Sequence, residues 1–170
     1  LGPALRRRQL TIIHDVTFLA IPQTFSRGVR LLYRLIVPAL ARRSAVVMAV
    51  SEFTRAEMRR TLGLDSAHIA VCSEGSEHIL ESAPNLDVLD RLGLAGKRFF
   101  LAVGMGGPNK NLPALLAAFA AMRTPEVVLV ITGRPNLHIH PDSDFTGENV
   151  IYAGYVGDVE LRALYERALA

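Results

Sequence analysis

The sequence predicts an α/β protein with largely parallel sheets, and two observations carry that expectation. Six short apolar runs, continuous in their hydrophobicity, are spaced along the 170 residues. Runs of this kind, rich in Val and Ile, are what strands covered on both faces require. Between them lie segments with the apolar period of helices, several opened by a capping residue. Strand and helix in alternation is the pattern of parallel sheets joined by crossover helices.

The first run is "LTIIH", 10–14. Ser26 then caps "RGVRLLYRLIVPALARR", with Pro38 a candidate kink inside it. "AVVMAV", 45–50, is the second strand; Ser51 caps "EFTRAEMRRTL", and "HIAVCS", 68–73, is the third strand. The stretch 73–97 is polar, acidic and irregular apart from a short helical pattern near 86–92. It separates two groups of strands, so the expected boundary lies near residue 95, giving domains 1–95 and 96–170. The second group holds "RFFLAVG" (98–104), the helix "NLPALLAAFAAM", "EVVLVITG" (126–133), "NVIYAGY" (149–155) and a last helix, "VELRALYERALA", with Asp158 as its expected cap.

Half of the residues are apolar, in keeping with a packed core, and no run of eighteen apolar residues occurs. The opening "LGPALRRRQL" has arginines without the apolar centre of a signal peptide, which leads to the expectation of a cytoplasmic chain. A single cysteine, Cys72, rules out an internal disulfide and a cysteine-rich metal site. The chain lacks an initiator methionine and ends inside a helical pattern, so it reads as a fragment. Charge is uneven. Residues 1–60 hold eleven arginines against Asp15, Glu52 and Glu57, whereas 61–170 hold eight basic and thirteen acidic residues. The first part is therefore suited to an anionic partner. Arg27, Arg30 and Arg34 stand at helical spacing with Leu31, Leu32, Leu35 and Ile36 around them, a pattern that fits a solvated face or peripheral contact with an anionic membrane. Nucleic acid is not expected: lysine is scarce and no nucleic-acid-binding motif is present.

The stretch "VGMGGPNKN", 103–111, follows an apolar strand, as phosphate-binding turns do. A dinucleotide fingerprint would need glycine where Asn109 stands after Gly104 and Gly106, and a P-loop would need a different spacing and a hydroxyl beside Lys110. What remains is a turn with Gly104, Gly106 and Gly107, then a lysine at the start of a helix, suited to a diphosphate. His14 ends its strand on the side where open α/β sheets place ligand groups. "HIHPDSD", 138–144, carries histidines and aspartates but reads as an exposed loop without a zinc spacing, so no metal and no cofactor is expected.

Four stretches, in order and at similar separations, resemble the group 1 (family 4) retaining glycosyltransferases of the two-Rossmann-domain, or GT-B, type. They are "HD" at 14–15, "VSEFTR" at 50–55, "VG…PNKN" at 103–111 and "GYVGDVELRALY" at 154–165. The resemblance implies an α/β fold with parts of two Rossmann-like domains: the acceptor-side domain with its linker over 1–95, and the start of the nucleotide-sugar domain over 96–170. It also implies that His14 and Lys110 are catalytic, His14 holding a sugar hydroxyl and Lys110 stabilising the departing diphosphate, where charge grows during sugar transfer. Gly104, Gly106, Gly107, Asn109, Lys110 and Gly133 match the donor-binding positions. Met105 and Asn109 replace arginines frequent in relatives. In "SEGSE", Gly75 and Glu77 match a turn near the donor whereas Ser73 and Glu74 do not; Arg55 joins Gly75 and Glu77 as a lesser candidate. Asp15 is read as fixing the turn after the strand.

The function so implied is transfer of a hexose, mannose being the suggested one, from a nucleotide sugar to a glycan or lipid-linked acceptor with retention, on the inner face of the cell membrane. The family's N-terminal glycine-rich loop and downstream glutamate pair are not found here, and Glu160 and Glu166 are too close together to stand for that pair. The 170-residue piece alone is therefore expected to transfer no sugar. Two rival readings stand beside this one: a non-catalytic membrane- or partner-binding protein using the basic helix, and a nucleotide-sugar epimerase of the same architecture.

Overall fold

The computed structural model describes residues 9–104, 110–133 and 149–170. Met105, Gly106, Gly107 and Asn109, and the stretch "HIHPDSD", lie outside the described residues. The chain divides into two compact units, 1–75 and 76–170.

In the first unit, strands β1 (Leu10–Ile13), β2 (Val46–Ala49) and β3 (Ile69–Val71) form a parallel sheet in the order β1-β2-β3, with Leu10 opposite Val46 and Val47 opposite Ile69. A short helix α1 (Thr17–Ala20) and the long α2 (Arg27–Arg43) join β1 to β2, and α3 (Glu52–Leu62) joins β2 towards β3. The caps read from the sequence are in place: Ser26 Oγ accepts from the Val29 amide, and Ser51 Oγ from the Thr54 amide at 3.1 Å. The α2 helix continues through Pro38. Helix α3 stops at Gly63, whose φ of 64° is the left-handed conformation that closes a helix. Because side chains alternate along a strand, Ile13, Val47 and Ala49 point to one face and meet Met58 and Leu62 of α3 and Ala41 of α2. The opposite face leaves Leu10, Ile12 and Val46 exposed.

The second unit has the parallel order β4-β5-β6, made of β4 (Arg98–Val103), β5 (Val127–Thr132) and β6 (Val150–Gly154). Every residue of β5 is buried, as a central strand covered on both faces must be. Val128 and Val130 face α4 (Asp87–Arg91) and α6 (Asp158–Arg167), while Val127, Leu129 and Ile131 face α5 (Leu112–Met122). Leu169 donates to the Phe99 carbonyl and Leu101 to that of Ala170, so the residues after α6 run along the free edge of β4. The cap of α6 is Gly157, and Asp158 is the first helical residue, where its charge suits the positive end of the helix.

The units part earlier than the boundary expected near residue 95. Val88 and Leu94 are buried in the second core, Arg91 pairs with Glu160 at 2.6 Å, and the Asn85 amide donates to the Val159 carbonyl. These contacts tie the acidic stretch to α6 and hence to the second sheet.

Candidate functional site

In an open parallel sheet the strands' carboxyl ends point their unpaired backbone to one edge, where helices begin and ligands bind. At that edge of the second sheet, each strand ends in a glycine with positive φ: Gly104 at 91°, Gly133 at 118° and Gly154 at 65°. Hydrogen bonds align them, the Gly104 amide donating to Thr132 and the Gly133 amide to Gly154 at 2.7 Å. Gly154 was not among the residues singled out in the sequence; its signal was a strand-ending glycine like the other two. Lys110 lies over the same edge, its Cε 3.8 Å from the position a Cβ on Gly104 would take. That is ordinary contact, so φ rather than space demands glycine at 104. Asn111, in the left-handed region at φ 48°, then turns the chain into α5. Among the described residues the strands end in three glycines with the Lys110 ammonium beside the first, an arrangement able to receive a diphosphate.

At the carboxyl edge of the first sheet, His14 follows β1. The Thr54 hydroxyl donates to the His14 carbonyl at 3.2 Å, which ties the strand end to α3. Asp15 accepts from the Thr17 amide at 2.8 Å and closes the turn into α1, the role read for it from the sequence. The His14 ring meets a residue that the sequence reading had set aside: Nδ1 lies 3.0 Å from Glu74 Oε1. Both side chains are 63% exposed, so this contact contributes at most about 1 kcal/mol to stability. Glu74 sits in the loop after β3, anchored where the Cys72 amide donates to the Ala49 carbonyl at 2.9 Å.

Arg55 is engaged elsewhere. Its guanidinium contacts Glu52 at 3.3 Å and donates to the Ser66 carbonyl at 3.2 Å, bracing α3 against the turn that leads into β3. That turn is at the amino end of β3, opposite the loop that carries Glu74. Gly75 closes the first unit and Glu77 opens a 3-10 turn, Glu77–Leu80, of the second. An open hollow of about 610 Å³ also occurs near the amino end of β3, lined by Arg42, Gly63, Leu64, Asp65, Ala67 and His68. His68 is held there by a 3.3 Å contact from Nε2 to the Ala41 carbonyl. Among the described residues, no three His, Cys, Asp or Glu side chains gather as a metal site, and no helix is long and apolar enough to cross a membrane.

No protein-family profile and no curated protein matches the chain. Solved structures do. Anabaena Alr3699/HepE in complex with UDP and glucose superposes with a TM-score of 0.64 at 19% identity, covering 89% of this chain and 43% of that one. The same protein in complex with UDP-glucose gives 0.65 at 20% identity over the same shares. With UDP alone it gives 0.61, also at 20%. The chain therefore spans less than half the length of these structures, and the likeness shows the fold: an α/β architecture of the GT-B kind, with parallel sheets and helices.

Proposed function

We propose that this chain is part of a glycosyltransferase that takes its sugar from a nucleotide sugar, with the diphosphate received at the carboxyl edge of β4, β5 and β6. The observation that carries this reading is the row of three positive-φ glycines, Gly104, Gly133 and Gly154, with Lys110 beside the first. Complexes of a similarly folded protein with UDP and UDP-glucose support it and favour a uridine nucleotide.

In this reading Lys110 is catalytic because cleavage of the sugar–phosphate bond leaves negative charge on the diphosphate, and a fixed cation lowers the barrier most where charge grows. His14 orients a hydroxyl of the sugar or of the acceptor. Gly106, Gly107 and Asn109 belong to the same donor turn. No metal is required, since protein cations take the leaving group. Retention at the anomeric carbon, a hexose donor including mannose, a glycan or lipid-linked acceptor, and work on the inner face of the membrane complete the proposal. As only 43% of the HepE chain is matched, the 170 residues alone should bind nucleotide without turning it over.

Calorimetry with UDP, UDP-glucose and GDP-mannose tests this reading and ranks the donors. Lys110→Ala should weaken binding roughly ten- to hundredfold, the effect of a lost charge-assisted hydrogen bond. Equal affinity in both proteins would remove Lys110 from the site.

A specific observation also favours a second reading. Arg27, Leu31 and Leu35 form one exposed stripe of α2 with Arg34 beside it, and such a stripe suits an anionic bilayer. Flotation with phosphatidylserine vesicles should fall on charge reversal at Arg27, Arg30 and Arg34 and ignore Lys110→Ala. Flotation that ignores the arginines would dismiss this reading.

A further inference from the structure

Along the carboxyl edge of the second sheet the charge is sorted. Lys110 stands beside Gly104 at the β4 end, whereas the β6 end leads into α6, whose first turn carries Asp158 and Glu160. Glu160 is paired with Arg91 at 2.6 Å, and Asp158 is exposed. A diphosphate is therefore drawn to the β4 end and repelled from the β6 end. Between Gly154 and α6 stands Tyr155, an aromatic residue that is 71% exposed. Its backbone is fixed on both sides: the Gly154 carbonyl accepts from the Gly133 amide at 2.7 Å, and Val156 is buried in the core shared with α4 and α6. Exposing such a ring contributes nothing to folding, yet it lies at the edge where open parallel sheets bind ligands. Strands β4 and β6 are two interstrand steps apart, roughly 10 Å, a span that an extended nucleotide bridges from its diphosphate through the ribose to its base.

We propose that Tyr155 is a binding residue for the nucleobase: the nucleotide lies along this edge with its diphosphate at Gly104 and Lys110, its ribose crossing β5 at Gly133, and its base stacked on the Tyr155 ring. The proposal rests on the nucleotide-sugar reading above and adds to it the direction in which the nucleotide lies. Every base has a π-face, so the ring supplies affinity without choosing between uracil and guanine. Stacking uses the ring and not the phenol hydroxyl, so phenylalanine should serve equally well.

The test is calorimetry of the 170-residue chain with UDP and with inorganic pyrophosphate, beside proton spectra of the aromatic rings. Tyr155→Ala should weaken UDP roughly ten- to hundredfold, the effect of losing one stacked base, and leave pyrophosphate affinity unchanged. Tyr155→Phe should keep the affinity for UDP. Unchanged pyrophosphate binding also reports that the edge of the variant is folded. In the unaltered chain, saturation with UDP should shift the Tyr155 ring protons whereas pyrophosphate should not, which reads the stacking without any variant. Equal UDP affinity in Tyr155→Ala and the unaltered chain overturns the proposal, and so does a Tyr155 ring unmoved at saturating UDP. A loss for pyrophosphate as large as that for UDP overturns it as well, since the ring would then act on the diphosphate or on the edge itself. In each of these outcomes UDP still binds, and the nucleotide-sugar reading stands. If UDP does not bind the unaltered chain at millimolar concentration, that reading fails and takes the role of Tyr155 with it.

Discussion

The Arg55 guanidinium spans from Glu52 on its own helix to the Ser66 carbonyl, so its removal should loosen α3 from the turn into β3. Arg55→Ala should cost about 1 kcal/mol in a denaturant titration and leave UDP affinity unchanged. A large loss of affinity would return Arg55 to the site. Gly104 makes the opposite case: with φ at 91°, Gly104→Ala should cost about 1–2 kcal/mol from backbone strain and also weaken UDP binding. A fully stable, fully binding variant would show that the conformation is not needed. His14 and Lys110 could be singled out in the sequence because short motifs surround them. The contact between His14 and Glu74 could not, since its two residues are distant in sequence. Arg55 looked available because its motif shows the helix start but not the carbonyl that occupies it.

At the scale of elements, the strands were readable because continuous apolar runs leave few alternatives in an alternating chain. The sequence-read ranges contain every described strand, from Leu10–Ile13 to Val150–Gly154, overrunning by at most two residues at either end. The helix caps were readable too, because Ser26 and Ser51 satisfy amides within their own first turns. Ser51→Ala should therefore cost about 1 kcal/mol of stability, measured by thermal or denaturant unfolding of the first unit. A change near zero would mean that Thr54 or water replaces the cap. The two faces of β1 should respond differently. Ile13 is 7% exposed and Leu10 53%, so Ile13→Ala should cost about 2–4 kcal/mol and Leu10→Ala well under half as much. Similar losses at both positions would mean that the second face is also covered. The placement of 76–97 was not readable, because Val88 and Leu94 are sparse among acidic residues and their partners lie on α6 and β4.

For the molecule as a whole, two small sheets each keep a core of their own, and the second holds a titratable group. Burial pushes the Tyr152 phenol above its ordinary value of 10.0, since the charged form is disfavoured there. A group with its folded pKa raised contributes stability that is complete below the unfolded value and lost as pH rises through the folded one. The second unit should thus weaken above about pH 10, and Tyr152→Phe should reduce that loss. Equal alkaline sensitivity in both proteins would exclude Tyr152 as the cause. The separation of the basic helix from the glycine-ended strands was readable, since they fall in different groups of strands. The row formed by Gly104, Gly133 and Gly154 was not, because it needs the parallel register of three strands that are distant in sequence.

The most direct measurement is an amide map of the nitrogen-15-labelled chain during titration with UDP. The result expected is saturable movement concentrated at Gly104, Lys110, Gly133 and Gly154, much reduced in Lys110→Ala. Movement confined to the hollow around Arg42, Asp65 and His68, or no movement at millimolar nucleotide, would contradict a diphosphate site at the carboxyl edge of the second sheet.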